Sequence, residues 1–223
     1  MSEFIPYQLP RLSEQDMVAR SKEFLRDMEG RRSARVFSPE AIPLEAVRHC
    51  IATAATAPSG AHKQPWTFCL VTDPALRSRI REAAEAEEFK NYHGRMSDAW
   101  LKDLEPFDTN HVKPFIEESP ALIVVFKQVF DEQVEGKKPN YYVNESVGIA
   151  VGMLLTALHQ IGLVALTHTP SPMAFLAEAL QRPTNERAYL NIPIGYPAEG
   201  LTVPNLTRKP LEEVLVEYHG VEG

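Results

Sequence analysis

Arg31-Arg32-Ser33-Ala34-Arg35 places three guanidiniums and a hydroxyl within five residues, directly after Gly30. A guanidinium is planar and offers paired N–H donors that match a phosphate. The serine hydroxyl adds one more donor. An arginine pair by itself describes a solvated basic turn. This one lies in a chain of formal net charge −7, for which nucleic acid is a poor partner. A basic cluster in an acidic chain points instead to a local anionic ligand.

The 223 residues are 44% hydrophobic, enough for one domain (residues 1–223) with a sizeable core. Cys50 and Cys69 are the two cysteines, and neither has metal-ligand spacing, so we expect no structural zinc and a reducing compartment. The polar, proline-containing start resembles neither a signal peptide nor an anchor. The most apolar run, residues 147–158, is too short to cross a bilayer. We therefore expect a cytoplasmic protein.

Outward from the arginines, Ser13 reads as the N-cap of an amphipathic helix over 14–28, with Met17, Phe24, Leu25 and Met28 on its apolar side. Pro43 starts a second helix to about residue 54. Residues 56–65 form a loop whose small residues and Gly60 suit close approach to a ligand. Buried strands are expected over 66–72 and 120–129, and further strands over 163–167 and 188–194. Asp73-Pro74 caps a third helix, and 173–180 reads as another. Residues 142–161 form a long helix apolar nearly all round, suited to a core or a subunit interface. Residues 85–119 are charged and aromatic without a clean apolar face, and read as short surface helices able to cover a site. Residues 204–210 are irregular. Alternation at Val214, Val216 and Tyr218 suggests an edge strand over 211–219.

Four segments resemble the nitroreductase flavoprotein superfamily and, within it, the iodotyrosine deiodinase (halotyrosine dehalogenase) family. They are Arg31-Arg32-Ser33-Ala34-Arg35, Thr56-Ala57-Pro58-Ser59-Gly60-Ala61-His62, Thr167-His168-Thr169-Pro170 and Asn205-Leu206-Thr207-Arg208-Lys209-Pro210. The resemblance implies an α+β fold: a central, mostly antiparallel sheet flanked by helices, in an intertwined homodimer with FMN at the interface. Residues 204–223 would extend onto the partner subunit. Arg31, Arg32, Ser33, Arg35, Ser59, Gly60, Thr167, His168, Thr169 and Arg208 are carried over as cofactor contacts. That donor set suits a partly desolvated phosphate, and one guanidinium would face the ring edge that becomes anionic on reduction. A Thr169 hydroxyl on flavin N5 would favour one-electron steps. His168 departs from the three threonines of the vertebrate members, which leaves its own role open.

Fold alone does not select a substrate. Glu88, Tyr92 and Lys113 do so by resemblance, matching a family triad in type and spacing. Glu88 and Tyr92 share a face if that stretch is helical. A carboxylate can accept from an ammonium, while Lys113 and the Tyr92 hydroxyl can donate to a carboxylate, so together they suit a free amino acid. Taken singly, Glu88 and Lys113 read as two of many surface charges. The backbone N–H of Ala61 matches a position that meets a phenolate, as an oxyanion site does. The implied enzyme is an FMN-dependent oxidoreductase that removes halide from 3-iodo- or 3,5-diiodotyrosine, and from bromo- and chlorotyrosine, with Thr169 and Ala61 at the reacting centre. No GxGxxG fingerprint is present, so electrons would come from a separate NAD(P)H-dependent reductase or from a flavodoxin or ferredoxin. The alternatives are a general NAD(P)H-dependent nitroreductase or quinone reductase, and a non-catalytic flavin-binding protein.

Overall fold

The computed structural model describes residues 3–132, 136 and 138–220. Its centre is the strand Ala121–Gln128, whose first six residues are all buried. Successive side chains of a strand point to opposite faces. Ala121, Ile123 and Val125 enter one apolar cluster, and Leu122, Val124 and Phe126 enter another. A strand apolar on both faces needs a layer on each side, and the helices supply them.

In chain order the helices are α1 Glu14–Glu29, α2 Leu44–Ala55, α3 Pro74–Lys90, α4 Asp98–Leu104, α5 Phe115–Glu118, α6 Val143–Gln160 and α7 Ala174–Ala179. The strands are β1 Trp66–Val71, β2 Ala121–Gln128, β3 Phe130–Asp131, β4 Lys138–Pro139, β5 Val164–Ala165 and β6 Glu186–Gly195. The main sheet has the order β1-β2-β6-β5, and every pairing is antiparallel. The expected antiparallel sheet flanked by helices is therefore present. Val47, Cys50 and Ala54 of α2 and Val147, Val151 and Leu154 of α6 pack on one face. Ile80 and Ala84 of α3, Phe115 and Ile116 of α5 and Leu176 of α7 pack on the other. Ser33 bridges Ala165 in parallel, and the Ala34 N–H donates to the Ala165 carbonyl at 3.2 Å. The arginine stretch is thus held along the outer side of β5.

Local signals hold at the helix starts. Ser13 Oγ accepts from the Asp16 N–H at 3.1 Å, and Asp73 Oδ1 accepts from the Leu76 N–H at 3.0 Å. Three expectations change. The apolar side of α1 is largely uncovered in its own chain: the helix has no buried residue, Met17, Phe24 and Leu25 are more than half exposed, and Met28 at its end, half-buried, meets α6. Residues 85–119 are not confined to the surface, because α3 continues to Lys90 and Glu88, Asn91, Lys113, Phe115 and Ile116 are buried. The edge strand over 211–219 does not form. Leu211–Glu213 is a single 3₁₀ turn, and the preceding tail lies beside residues 29–31, where Arg208 binds the Glu29 and Arg31 carbonyls. Alternation makes a strand only where a ladder lies alongside, and within this chain the tail runs beside residues 29–31 instead. The last three residues of the expected tail, 221–223, lie outside the described residues.

Candidate active site

The guanidiniums of Arg31, Arg32, Arg35 and Arg208 line one cavity of about 300 Å³, together with Ser33, Phe107, Pro204, Leu206 and Thr207. Their contacts to the protein are to carbonyl oxygens and a ring. Arg208 donates to the Glu29 carbonyl at 3.1 Å and to the Arg31 carbonyl at 2.8 Å. Arg32 donates to the Pro204 carbonyl, and Arg35 lies 5.5 Å from the centre of the Phe107 ring. Among the described residues, none of the four is ion-paired with a carboxylate. Burial holds the Arg35 guanidinium below the usual arginine range, against the influence of Tyr92. Four uncompensated cations around one hollow make a strong anion site. Thr167 lines an adjoining hollow with Arg31, Ser33, Gly152, Leu155 and Thr156.

Glu88, Tyr92 and Lys113 come together on the same side. Lys113 Nζ is 3.4 Å from Glu88 Oε2, and both side chains are more than nine-tenths buried. The same ammonium donates to Thr109 Oγ1 at 3.2 Å and to the Asn110 carbonyl, and lies 5.2 Å from the Tyr92 ring centre. Burial pushes the Lys113 ammonium down, with Glu88 opposing it. Burial also raises the Tyr92 phenol, which Thr109 and Arg35 oppose. A π-turn at Asn91–Arg95 ends α3 and swings Tyr92 to this cluster, while Asn91 donates to the Ser171 carbonyl at 2.8 Å. Arg35 acts electrostatically on Tyr92, Lys113 and His168, so the triad borders the arginine cavity.

His168 is not among the residues lining that cavity, although Arg35 acts on it electrostatically. Thr167 faces α6, whereas the His168 ring meets Phe115 edge-on at 5.3 Å on the α5 side. Strand alternation separates the two. Neither ring nitrogen has a hydrogen-bond partner among the described residues. Burial, with Lys113 and Arg35 adding to it, pushes the imidazole down to about 3 from 6.5. The folded state thus keeps this ring neutral at pH values where the unfolded chain takes up a proton. Stability from this group is complete above pH 6.5 and declines as pH falls toward 3. Between pH 7.5 and 5, urea unfolding should show the native chain losing roughly 2 kcal/mol more than His168→Gln. Equal losses would show the ring is solvated.

Ser59, Gly60 and Ala61 are elsewhere. The Gly60 N–H donates to Ser146 Oγ at 3.3 Å, in the first turn of α6. Gly30, just before the arginines, lies toward the other end of α6, where His159 Nε2 meets the Asp27 carbonyl at 2.7 Å, and Arg31 reaches back to a hollow shared with Gly152 and Leu155. At 1.5 Å per helical residue, Ser146 and His159 are about 20 Å apart. Gly60 is required by its own chain: a Cβ there would lie 3.0 Å from the Tyr141 carbonyl. The corner is strained, with left-handed backbone at Ala61 (φ 50°), His62 (φ 55°) and Gln64 (φ 46°). Non-glycine residues hold such angles only when the surroundings enforce them, and they concentrate at functional sites.

Sequence reasoning missed Phe107, Thr109 and Asn91. Asn91 and Thr109 carried a weak signal, as polar residues beside Tyr92 and one helical turn before Lys113. Phe107 carried none, because its partner Arg35 is 72 positions away.

An antiparallel sheet between two helical layers, with an arginine-lined anion site at one edge, defines a class that the comparisons identify. Residues 28–196 match the model of the nitroreductase family, and the chain belongs to that family. It is 56% identical over 216 residues to the iodotyrosine deiodinase of Haliscomenobacter hydrossis, covering 96% of this chain and 97% of that one. It is 44% identical over 216 residues to iodotyrosine deiodinase 1 of Homo sapiens, covering 96% of this chain and 75% of that one. A solved structure of oxidized iodotyrosine deiodinase bound to FMN and 3-iodo-L-tyrosine matches with a TM-score of 0.75 at 30% identity, covering 88% of this chain and 99% of that one. A BluB-like flavoprotein from Clostridium difficile matches in fold alone, with a TM-score of 0.67 at 18% identity. Within the nitroreductase family, these similarities set the chain on the iodotyrosine deiodinase branch. No helix among the described residues is long and apolar enough to cross a membrane.

Proposed function

We propose that this protein is an FMN-dependent reductive dehalogenase of halotyrosines, taking 3-iodo- and 3,5-diiodotyrosine, and the bromo and chloro analogues, to tyrosine and halide. The observation that carries the reading is the buried Glu88–Lys113 pair with Tyr92, bordering a cavity of four guanidiniums with no carboxylate partner among the described residues. The cavity fits a flavin phosphate in charge and donor geometry. Arg31, Arg32, Ser33, Arg35 and Arg208 would hold that end of FMN, with the Thr167 and Thr169 hydroxyls further along the ring. When bound, the flavin supplies the two electrons that replace a carbon–halogen bond by carbon–hydrogen.

The chain's own residues do the rest. Glu88 and Lys113 neutralise each other at 3.4 Å. A bound amino acid would insert its ammonium beside Glu88 and its carboxylate beside Lys113 and the Tyr92 hydroxyl, so both buried charges stay compensated. A phenol or nitroarene without a zwitterion cannot make that exchange, and this favours a deiodinase over a general nitroreductase. Residues 85–119 would close over the ring and exclude water. The Ala61 N–H would steady the phenolate oxygen.

Ala61 lies toward the start of α6, whereas Gly30, just before the arginines, lies toward its end. We propose a homodimer in which Ser59, Gly60 and Ala61 of one chain complete the site of the other, with residues 204–223 reaching across. The uncovered apolar sides of α1 and α6, including Phe24, Leu25 and Ile149, suit such an interface. Dilution in an ultracentrifuge should then release FMN as dimers dissociate, with one flavin per chain. Tight FMN binding by a monomer would refute the shared site. The electron donor is proposed to be a separate NAD(P)H-dependent reductase, flavodoxin or ferredoxin, in the cytoplasm.

The function is tested anaerobically. Protein reduced with dithionite is mixed with diiodotyrosine, and iodide release with flavin reoxidation is followed. Reoxidation by nitrophenol but not by diiodotyrosine would favour the nitroreductase reading. Absence of reoxidation by either would favour a flavin-binding protein.

A further inference from the structure

We propose that Phe107 is a latch through which halotyrosine binding tightens the grip on FMN, an inference that rests on the flavin site proposed above. The 3₁₀ turn Glu105–Phe107 follows α4 in the middle of the covering segment. It brings one aromatic ring to the lining of the arginine cavity, which Phe107 shares with Arg31, Ser33, Arg35 and Arg208. The Arg35 guanidinium sits 5.5 Å from the ring centre. A guanidinium at that distance over an aromatic face is attracted to it, more strongly where water is excluded. The half-buried Arg35 also feels Tyr92 and Lys113. The same segment therefore touches both proposed ligands: Tyr92 and Lys113 at the amino-acid end, Phe107 at the phosphate end.

This arrangement has a thermodynamic consequence. If a halotyrosine stabilises the seated segment, Phe107 spends more time over the cavity, and FMN escapes less readily. Coupling between two sites is reciprocal, so FMN must raise halotyrosine affinity by the same factor. Because the phosphate end of the flavin needs no chemistry, a cover there serves retention and not turnover. Nothing in the Phe107 side chain can accept or donate a proton, which separates its role from that of Tyr92.

The test measures FMN dissociation constants by flavin fluorescence, with and without saturating 3-iodotyrosine, for native protein, Phe107→Ala and Phe107→Leu. Removing a ring that makes a cation–π contact and covers apolar surface should weaken FMN about tenfold in Phe107→Ala. The gain in FMN affinity caused by 3-iodotyrosine should fall to less than twofold in the same variant. Phe107→Leu keeps an apolar cover without the aromatic face and should lie between the two. Melting curves and circular dichroism of the flavin-free proteins should coincide, since Phe107 is only half-buried. An FMN constant in Phe107→Ala within twofold of native, or an unchanged gain from 3-iodotyrosine, overturns the latch while leaving the proposed activity intact. Native protein that takes up no FMN removes the activity and the latch together.

Discussion

Lys113→Ala should abolish tight halotyrosine binding while leaving FMN in place. Among the described residues, Glu88 has one cationic partner, Lys113, and both side chains are more than nine-tenths buried. Removing the ammonium leaves a buried carboxylate uncompensated, a situation that costs about 3–5 kcal/mol. It also deletes the donor proposed for the ligand carboxylate. The lost donor is a hydrogen bond to a charged group, roughly 1.5–3 kcal/mol, so the dissociation constant of 3-iodotyrosine should rise by about 10- to 150-fold. Quenching of bound flavin fluorescence by 3-iodotyrosine reads it directly. Glu88→Gln should lose less, because an amide can still accept from the ligand ammonium and leaves no buried anion. The comparison with 2-iodophenol decides the cause. That ligand has no zwitterion, so its weak turnover should be nearly the same in native protein and Lys113→Ala. A parallel loss for both ligands would mean that Lys113 supports the fold of the covering segment, not recognition.

Arg31→Ala should yield protein that purifies pale. Arg31 lines the arginine cavity and also the hollow that holds Thr167, so in the proposed flavin site it stands between the phosphate and the ring. The tail does not depend on that side chain: Arg208 is held by the Arg31 carbonyl and the Glu29 carbonyl, both kept in alanine. The substitution therefore removes charge without releasing the tail. A hydrogen bond to a charged group contributes roughly 1.5–3 kcal/mol, so FMN should weaken by about 10- to 150-fold. The loss should shrink in high salt, because exposed parts of the interaction are screened. Arg20→Ala on the exposed face of α1 controls for net charge alone. An FMN constant equal in Arg31→Ala and Arg20→Ala would show that the cavity is not the phosphate site.

These outcomes also test how much of the protein is written in local sequence. The β2 run AlaLeuIleValValPhe could only be a strand covered on both faces, because every position is apolar and strand side chains alternate. Helix starts at Ser13 and Asp73 were equally legible, since capping is a contact over three residues. The arginine cluster and the Glu88, Tyr92, Lys113 set were recognisable as groups of chemical types. Tertiary structure alone decided what those groups meet. It turned His168 toward Phe115 and away from the Thr167 hollow, because neighbours on a strand face opposite ways. It brought Phe107 onto Arg35, a contact between residues far apart in the chain. It left residues 211–219 without a ladder, although their alternation was correct. It also set Gly60 against Ser146 at the start of α6 and Arg31 against Gly152 and Leu155 further along it, a separation that spacing along the chain does not encode. Caps, periodicity and residue chemistry are short-range and can be read from order alone. Which side chain faces which across the fold is set by packing two helical layers on one sheet, and only the folded chain determines it.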